Sequence, residues 1–246
     1  MLSLLFAFAL LWPTSLATFG PTVDADWSGT FPYVVRLGYS PPFAKDYTSM
    51  GMVVSAKIVI IGEWALSTQI TNDPKDYVLT DYTLEKRPMA RIIGLASPAI
   101  FVTKVCKPFG PARFNLTQAE FFDYAANSDN AAIIFFQFNT LKSMSTQVLS
   151  DTNCNAVYPG KAPTTACIRR DTTPGICRAY LRDAWNTGTT YIHGPSLVVN
   201  NRVQGAIKLA QCSDPGLDNT KETTFYKFDA YRSAILGVDG AVVDNS

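Results

Sequence analysis

The chain has 246 residues, 47% of them hydrophobic, which is enough apolar side chain for a sizeable core and excludes global disorder. Its charges nearly cancel at +1 and no long run of one sign occurs, which argues against nucleic acid as a partner and against a polybasic membrane patch. A single histidine cannot build a histidine-rich metal site and no two cysteines have Cys-x-x-Cys spacing, so neither a metal nor a cofactor is expected.

The first seventeen residues, MLSLLFAFALLWPTSLA, read as a secretory signal. An apolar run from Leu2 to Trp12 ends at Pro13, and Ser15 and Ala17 are small enough for a cleavage site. The run is well short of the ~20 residues that span a bilayer, so no membrane anchor is expected and the chain is read as secreted. Cys106, Cys154, Cys167, Cys177 and Cys212 then meet an oxidising compartment where disulfides persist. Five is odd, so at least one thiol stays free or pairs between molecules. Asn115, in Asn115-Leu116-Thr117, is a candidate glycosylation acceptor.

After the signal come short apolar or alternating runs separated by Pro, Gly, Asn and Asp. FPYVVRLGY (31–39) places Phe31, Tyr33, Val35 and Leu37 at period two, predicting one buried strand face. MVVSAKIVIIGEWAL (52–66) is apolar enough for two buried strands, and ARIIGLASP (90–98) and AAIIFFQF (131–138) are further candidates. SLVVNNRVQGAIKL (196–209) predicts a hairpin about Asn200-Asn201, since asparagine tolerates the positive φ that a two-residue turn demands. Only KFDAYRSAILGV (227–238) has helical spacing, with Phe228, Tyr231 and Ile235 three and four apart. The pattern predicts an all-β barrel or sandwich closed by one terminal helix.

One segment is specific enough to name a family. QVLSDTNCNAVYPGKAPTTACIRRD (147–171) resembles the stretch of trypsin-like serine proteases in which a Leu-Ser-x-x-x-Cys strand leads to Tyr-Pro-Gly and a second cysteine. The other blocks then resemble family landmarks in order. FPYVVRLGY is similar to the first strand of the mature protease, and 49–65 to the strand pair ending in the catalytic histidine. PMARIIGLASP (88–98) resembles the strand carrying the aspartate, and 131–139 the strand that opens the second barrel. Residues 190–205 resemble the nucleophile loop and its hairpin, and 225–235 the last strand and terminal helix. The resemblance implies two antiparallel six-stranded β-barrels, at about 27–120 and 121–232 of a domain spanning 18–246, with a C-terminal helix at about 228–238. An active-site cleft lies between the barrels in that family.

The chemistry does not follow the fold. Acyl transfer by this mechanism needs a hydroxyl nucleophile, an imidazole base, an orienting carboxylate and oxyanion donors. The histidine position falls on Trp64, whose indole only donates; the aspartate position falls on Met89; and the serine position falls on Ile192. Thr190 stands at the oxyanion glycine, and Tyr191 at the aspartate that pairs with a new N-terminus. No Lys or Arg precedes Arg36, so no trypsin-type activation site stands before the first strand. Lys208-Leu209-Ala210 replaces the substrate-binding Ser-Trp-Gly. His193, the only imidazole, falls one residue past the nucleophile position, with Ser196, Thr189 and Thr190 nearby.

The resemblance implies the pairs Cys154–Cys167 and Cys177–Cys212, leaving Cys106 free or intermolecular. Ser49 and Ala65 stand where a family bridge would flank the histidine, and Ala132 and Val199 approximately at the ends of another. The sequence therefore predicts a secreted, non-catalytic serine protease homologue acting through an extracellular protein partner, as regulator, cofactor or decoy in a protease cascade. The alternatives are a structural or storage component of a secretion, and a weak unconventional endopeptidase using His193 with a neighbouring hydroxyl.

Overall fold

The structure, a computed structural model, describes residues 23–39, 49–62, 76–94, 100–110, 130–137, 140–157, 159–160, 162–168, 196–207 and 224–236. Six strands of the first half close on themselves: β2 (Val34–Tyr39), β3 (Ser49–Val53), β4 (Ile58–Gly62), β5 (Tyr77–Thr80), β6 (Lys86–Gly94) and β7 (Ile100–Val105). Their order is β2-β3-β4-β7-β6-β5, with β5 returning to β2, and every pairing is antiparallel.

The second sheet has seven strands in the order β1-β9-β8-β11-β12-β13-β10. These are β1 (Val23–Asp24), β8 (Ala131–Gln137), β9 (Thr140–Thr146), β10 (Thr165–Cys167), β11 (Ser196–Val199), β12 (Arg202–Ile207) and β13 (Thr224–Lys227). Beyond β9 and β10 the two ends of the sheet meet. Val148 bridges Ile168, and the Leu149 amide donates to the Cys167 carbonyl at 2.8 Å. Six of the seven strands thus form a second ring, with β1 laid against the outside of β9.

Side-chain alternation sorts the buried residues into three layers, because successive residues of a strand face opposite sides. Val35, Leu37, Val53, Val59, Ile61, Tyr77, Leu79, Met89 and Val105 fill the first barrel. Ile133, Phe135, Met144, Ile168, Leu197, Val199 and Phe225 fill the second. The remaining faces pack against each other: Val34, Met52, Ile58, Ile60, Ile100 and Val102 of one barrel meet Ile134, Phe136, Leu141, Val198, Val203 and Phe228 of the other. Each such side chain, fully buried, stabilises the pairing by about 1.5–3 kcal/mol. Both faces of β2 are therefore buried. The predicted single face splits, with Val35 and Leu37 inside the barrel and Phe31 and Tyr33 in the interface with Val34.

The hairpin about Asn200-Asn201 forms as expected, with φ of 52° and 62° at the two asparagines. The C-terminal segment forms a 3-10 turn (Asp229–Tyr231) running into a short helix, α2 (Arg232–Leu236), with Phe228 and Ile235 buried. One expected strand is a helix instead. SDTNCNAV carries α1 (Asp151–Val157), because the Ser150 hydroxyl accepts the Asn153 amide at 3.2 Å as an N-cap and Asp151 opens the first turn. Pro159 and Gly160, the latter at φ 73°, follow its end.

Candidate functional site

The three-layer packing determines where a cleft would form. β4 runs outward to Gly62, two residues before Trp64, and β11 begins at Ser196, three residues after His193. Ile60 of β4 and Val198 of β11 belong to the same interface core. Strands β4 and β11 therefore border one apolar floor from opposite barrels. Trp64, Thr190, Tyr191, Ile192, His193 and Asn115 themselves lie outside the described residues, as do residues 1–17 and 208–210.

Met89 is described, and its place corrects the sequence reading. It is 3% exposed and packs inside the first barrel with Tyr77, Val105 and Phe109, not in the interface layer. Across the sheet Met89 pairs with Val105, whereas Gly62 pairs with Ile100 at the other end of β7. From Ile100 to Val105 is roughly 17 Å along a strand at ~3.4 Å per residue. A group that orients an imidazole must lie within ~3 Å of it, so Met89 cannot stand in for the aspartate. The end of β7 that meets the end of β4 is Ile100, and the segment preceding it lies outside the described residues. That segment, 95–99, reads Leu-Ala-Ser-Pro-Ala and carries no carboxylate. The sequence reading erred because RIIGL and AIFVTKV are both apolar runs, and only pairing shows which one neighbours β4.

The cysteine framework is partly visible. Cys154 and Cys167 are disulfide-bonded, with Cα atoms 5.5 Å apart, as the resemblance implies. The bridge ties α1 to β10 beside the closing seam of the second barrel. Cys106 is exposed and carries a free thiol. Cys177 and Cys212 lie outside the described residues. The second pair of apolar replacements is also sharpened by register: Ala132 pairs with Val198, not Val199, and both pack toward the interface.

Two buried ionic contacts were invisible in the sequence. Asp81 accepts hydrogen bonds from the Thr83 amide at 2.9 Å, the Thr83 hydroxyl at 2.5 Å and the Arg87 guanidinium at 2.8 Å. Burial alone would raise its pKa, but the Thr83 and Arg87 hydrogen bonds outweigh that and hold the carboxyl below its ordinary value. Arg87 also bonds Glu85 and lies 4.4 Å over the Phe109 ring. In the second barrel the buried Lys227 ammonium donates to Asp151 at 2.8 Å and to the Ala162 carbonyl at 2.6 Å. Both networks are satisfied internally and lie on hairpins and loops away from the interface floor, so they position the scaffold. Among the described residues, no group of three His, Cys, Asp or Glu could hold a metal ion.

Comparison with solved structures agrees with this architecture. The VesB protease of Vibrio cholerae superimposes with a TM-score of 0.63 at 13% identity, over 90% of this chain and 68% of its own. GrC superimposes at 0.60, again at 13% identity, over 89% of this chain and 98% of its own. The fold is that of the trypsin-like serine proteases. Kallikrein-related peptidase 10, in a complex with zinc, matches this trypsin-like chain at a TM-score of 0.58 and 16% identity, over 88% of the chain and 98% of its own. No protein-family profile and no curated protein sequence matches it. The trypsin-like likeness thus rests on backbone geometry, which tolerates wide sequence change wherever burial and pairing are kept. No helix among the described residues is long and apolar enough to cross a membrane.

Proposed function

We propose that this trypsin-fold protein is secreted and acts by binding an extracellular protein, without acyl-transfer chemistry. The reading is carried by the resemblance that assigns Ile192 to the nucleophile's place, in a block of sequence that is followed by β11 and its hairpin. An isoleucine side chain has no atom that can attack a carbonyl. Two further features support it. The chain holds one imidazole, His193, and it belongs to the nucleophile's block, so the histidine position itself, Trp64, carries none. The five residues that precede Ile100, the partner of Gly62 at the end of β4, include no carboxylate to orient a base. Secretion is supported by the N-terminal apolar run and by a disulfide that an oxidising compartment would maintain. A fold of this kind carries function in surface sites, so a regulator, cofactor or decoy of protease cascades is the role in view.

The test is a fluorophosphonate probe for activated serines, applied to the purified protein beside an active trypsin-like protease. The expected result is no labelling of this chain. Labelling, or peptide turnover that disappears in His193→Ala, would establish the unconventional hydrolase instead. A ladder of multimers sensitive to reductant and dependent on Cys106 would favour the structural or storage role.

A further inference from the structure

Three cations scattered in the sequence, Lys86, Arg91 and Lys104, are exposed on the neighbouring strands β6 and β7, and Lys57 and Lys107 stand beside strand ends of the same barrel. Arg91 and Lys104 are direct cross-strand partners on β6 and β7, and both are exposed. Like charges placed opposite each other in a sheet are destabilising. A β-bulge between Met89 and Arg91 creates this pairing. Without the extra residue, Ala90 would oppose Lys104 and Arg91 would turn into the barrel. Lys86 is exposed on β6, and Lys57 precedes Ile58, the other cross-strand partner of Lys104. Exposed Lys107 follows β7, and among the described residues it alone of the five has an ion pair, with Glu85. Among the described residues, one acid, Glu85, is thus ion-paired within this group of five cations, to Lys107, in a chain whose net charge is +1 overall.

We propose that this face, centred on Arg91 and Lys104, binds a sulfated polysaccharide. The site takes a row of anionic groups, because the cations lie on and beside neighbouring strands and, among the described residues, only Lys107 of the five is ion-paired. A nucleic acid is disfavoured by the absence of exposed aromatic side chains on the strip for bases to stack on. A protein partner is disfavoured because, among the described residues, the one large exposed apolar side chain bordering the strip is the isolated Leu84, whereas a protein interface usually rests on a cluster of such anchors. A sulfated glycan needs neither, only spaced cations. The inference is independent of whether the protein is catalytic, so its failure would leave the proposed function standing.

The experiment is retention of the intact protein on immobilised heparin, with elution followed across salt from about 50 to about 200 mM, where ion-pair binding falls steeply. Wild type is expected to bind and to elute late. R91S/K104S is expected to bind at least tenfold more weakly, with a salt dependence shallower by one to two released ions. Its melting temperature should equal or exceed that of wild type, since it removes a like-charge pair. K57S/K86S, which leaves the central pair in place, should weaken binding by a smaller factor. Lys142→Ser, on β9 of the second barrel, should leave elution unchanged. Identical elution of R91S/K104S and wild type, or equal loss in Lys142→Ser, would overturn the site. Tighter binding to polyglutamate or duplex DNA than to heparin would overturn the ligand class.

Discussion

The Val203 amide of the second barrel donates a hydrogen bond to the Tyr33 hydroxyl at the entry to β2, at 3.1 Å across the interface core. Tyr33 is 3% exposed, and burial pushes its phenol up to about 12, against the pull of the Val203 amide and the Arg202 charge. Tyr33→Phe leaves a buried N–H without its acceptor and is expected to cost about 1–3 kcal/mol in urea unfolding. The sign of the pH effect follows from the raised pKa. Above the ordinary value of 10.0 the unfolded tyrosine ionises while the folded one does not, so its contribution is lost as pH rises from 10.0 to about 12. Wild type should therefore lose more stability than Tyr33→Phe between about pH 9 and about pH 11.5. Equal losses would mean that Tyr33 is not held neutral by the interface.

Leu84 sits at φ 65°, 66% exposed, at the tip of the β5–β6 turn. Its amide donates to the Asp81 carbonyl at 2.9 Å, so the turn ends in the left-handed residue that usually is glycine. A non-glycine residue there costs ~1–2 kcal/mol, while glycine pays ~0.5–1 kcal/mol in chain entropy. Leu84→Gly is thus expected to raise stability by up to about 1 kcal/mol. A calorimetric melting temperature unchanged or lowered would mean that Leu84 makes contacts offsetting its strain.

Cys154–Cys167 and the Lys227 contacts to Asp151 and Ala162 hold the same segment, α1 and its return to β10. Replacing both cysteines with serine is expected to cost about 3 kcal/mol, as for a bridge closing a short loop. Lys227→Met removes the donor to a buried carbonyl and should cost about 1–2 kcal/mol. Because the two act on one element, the combined variant should depart from additivity by more than about 0.5 kcal/mol in chemical denaturation. Strict additivity would show that the bridge and the lysine support separate parts of the barrel.

Much of the architecture was legible in local pattern. Period-two spacing marked β2, although both of its faces proved buried, and a run of β-branched and aromatic residues marked β8. Asn200 and Asn201 announced their turn, because few other residues adopt positive φ cheaply. Capping was the readable signal that was missed: Ser150 followed by Asp151 starts a helix where the resemblance implied a strand.

By itself the amino-acid sequence determined what chemistry the chain can carry. Side-chain identity cannot be changed by folding, so a single histidine holds in any conformation, as does an isoleucine at residue 192, the position that the resemblance assigns to the nucleophile. Pairing was decided only by the tertiary structure. Met89 proved to belong to the barrel interior, and Ile100 to be the neighbour of Gly62, because register is a long-range property of which strands meet. The same long-range pairing, with one bulge, set Arg91 opposite Lys104. It brought onto neighbouring strands cations that are spread along the chain, where the lack of a long basic run had argued against nucleic acid and a polybasic membrane patch.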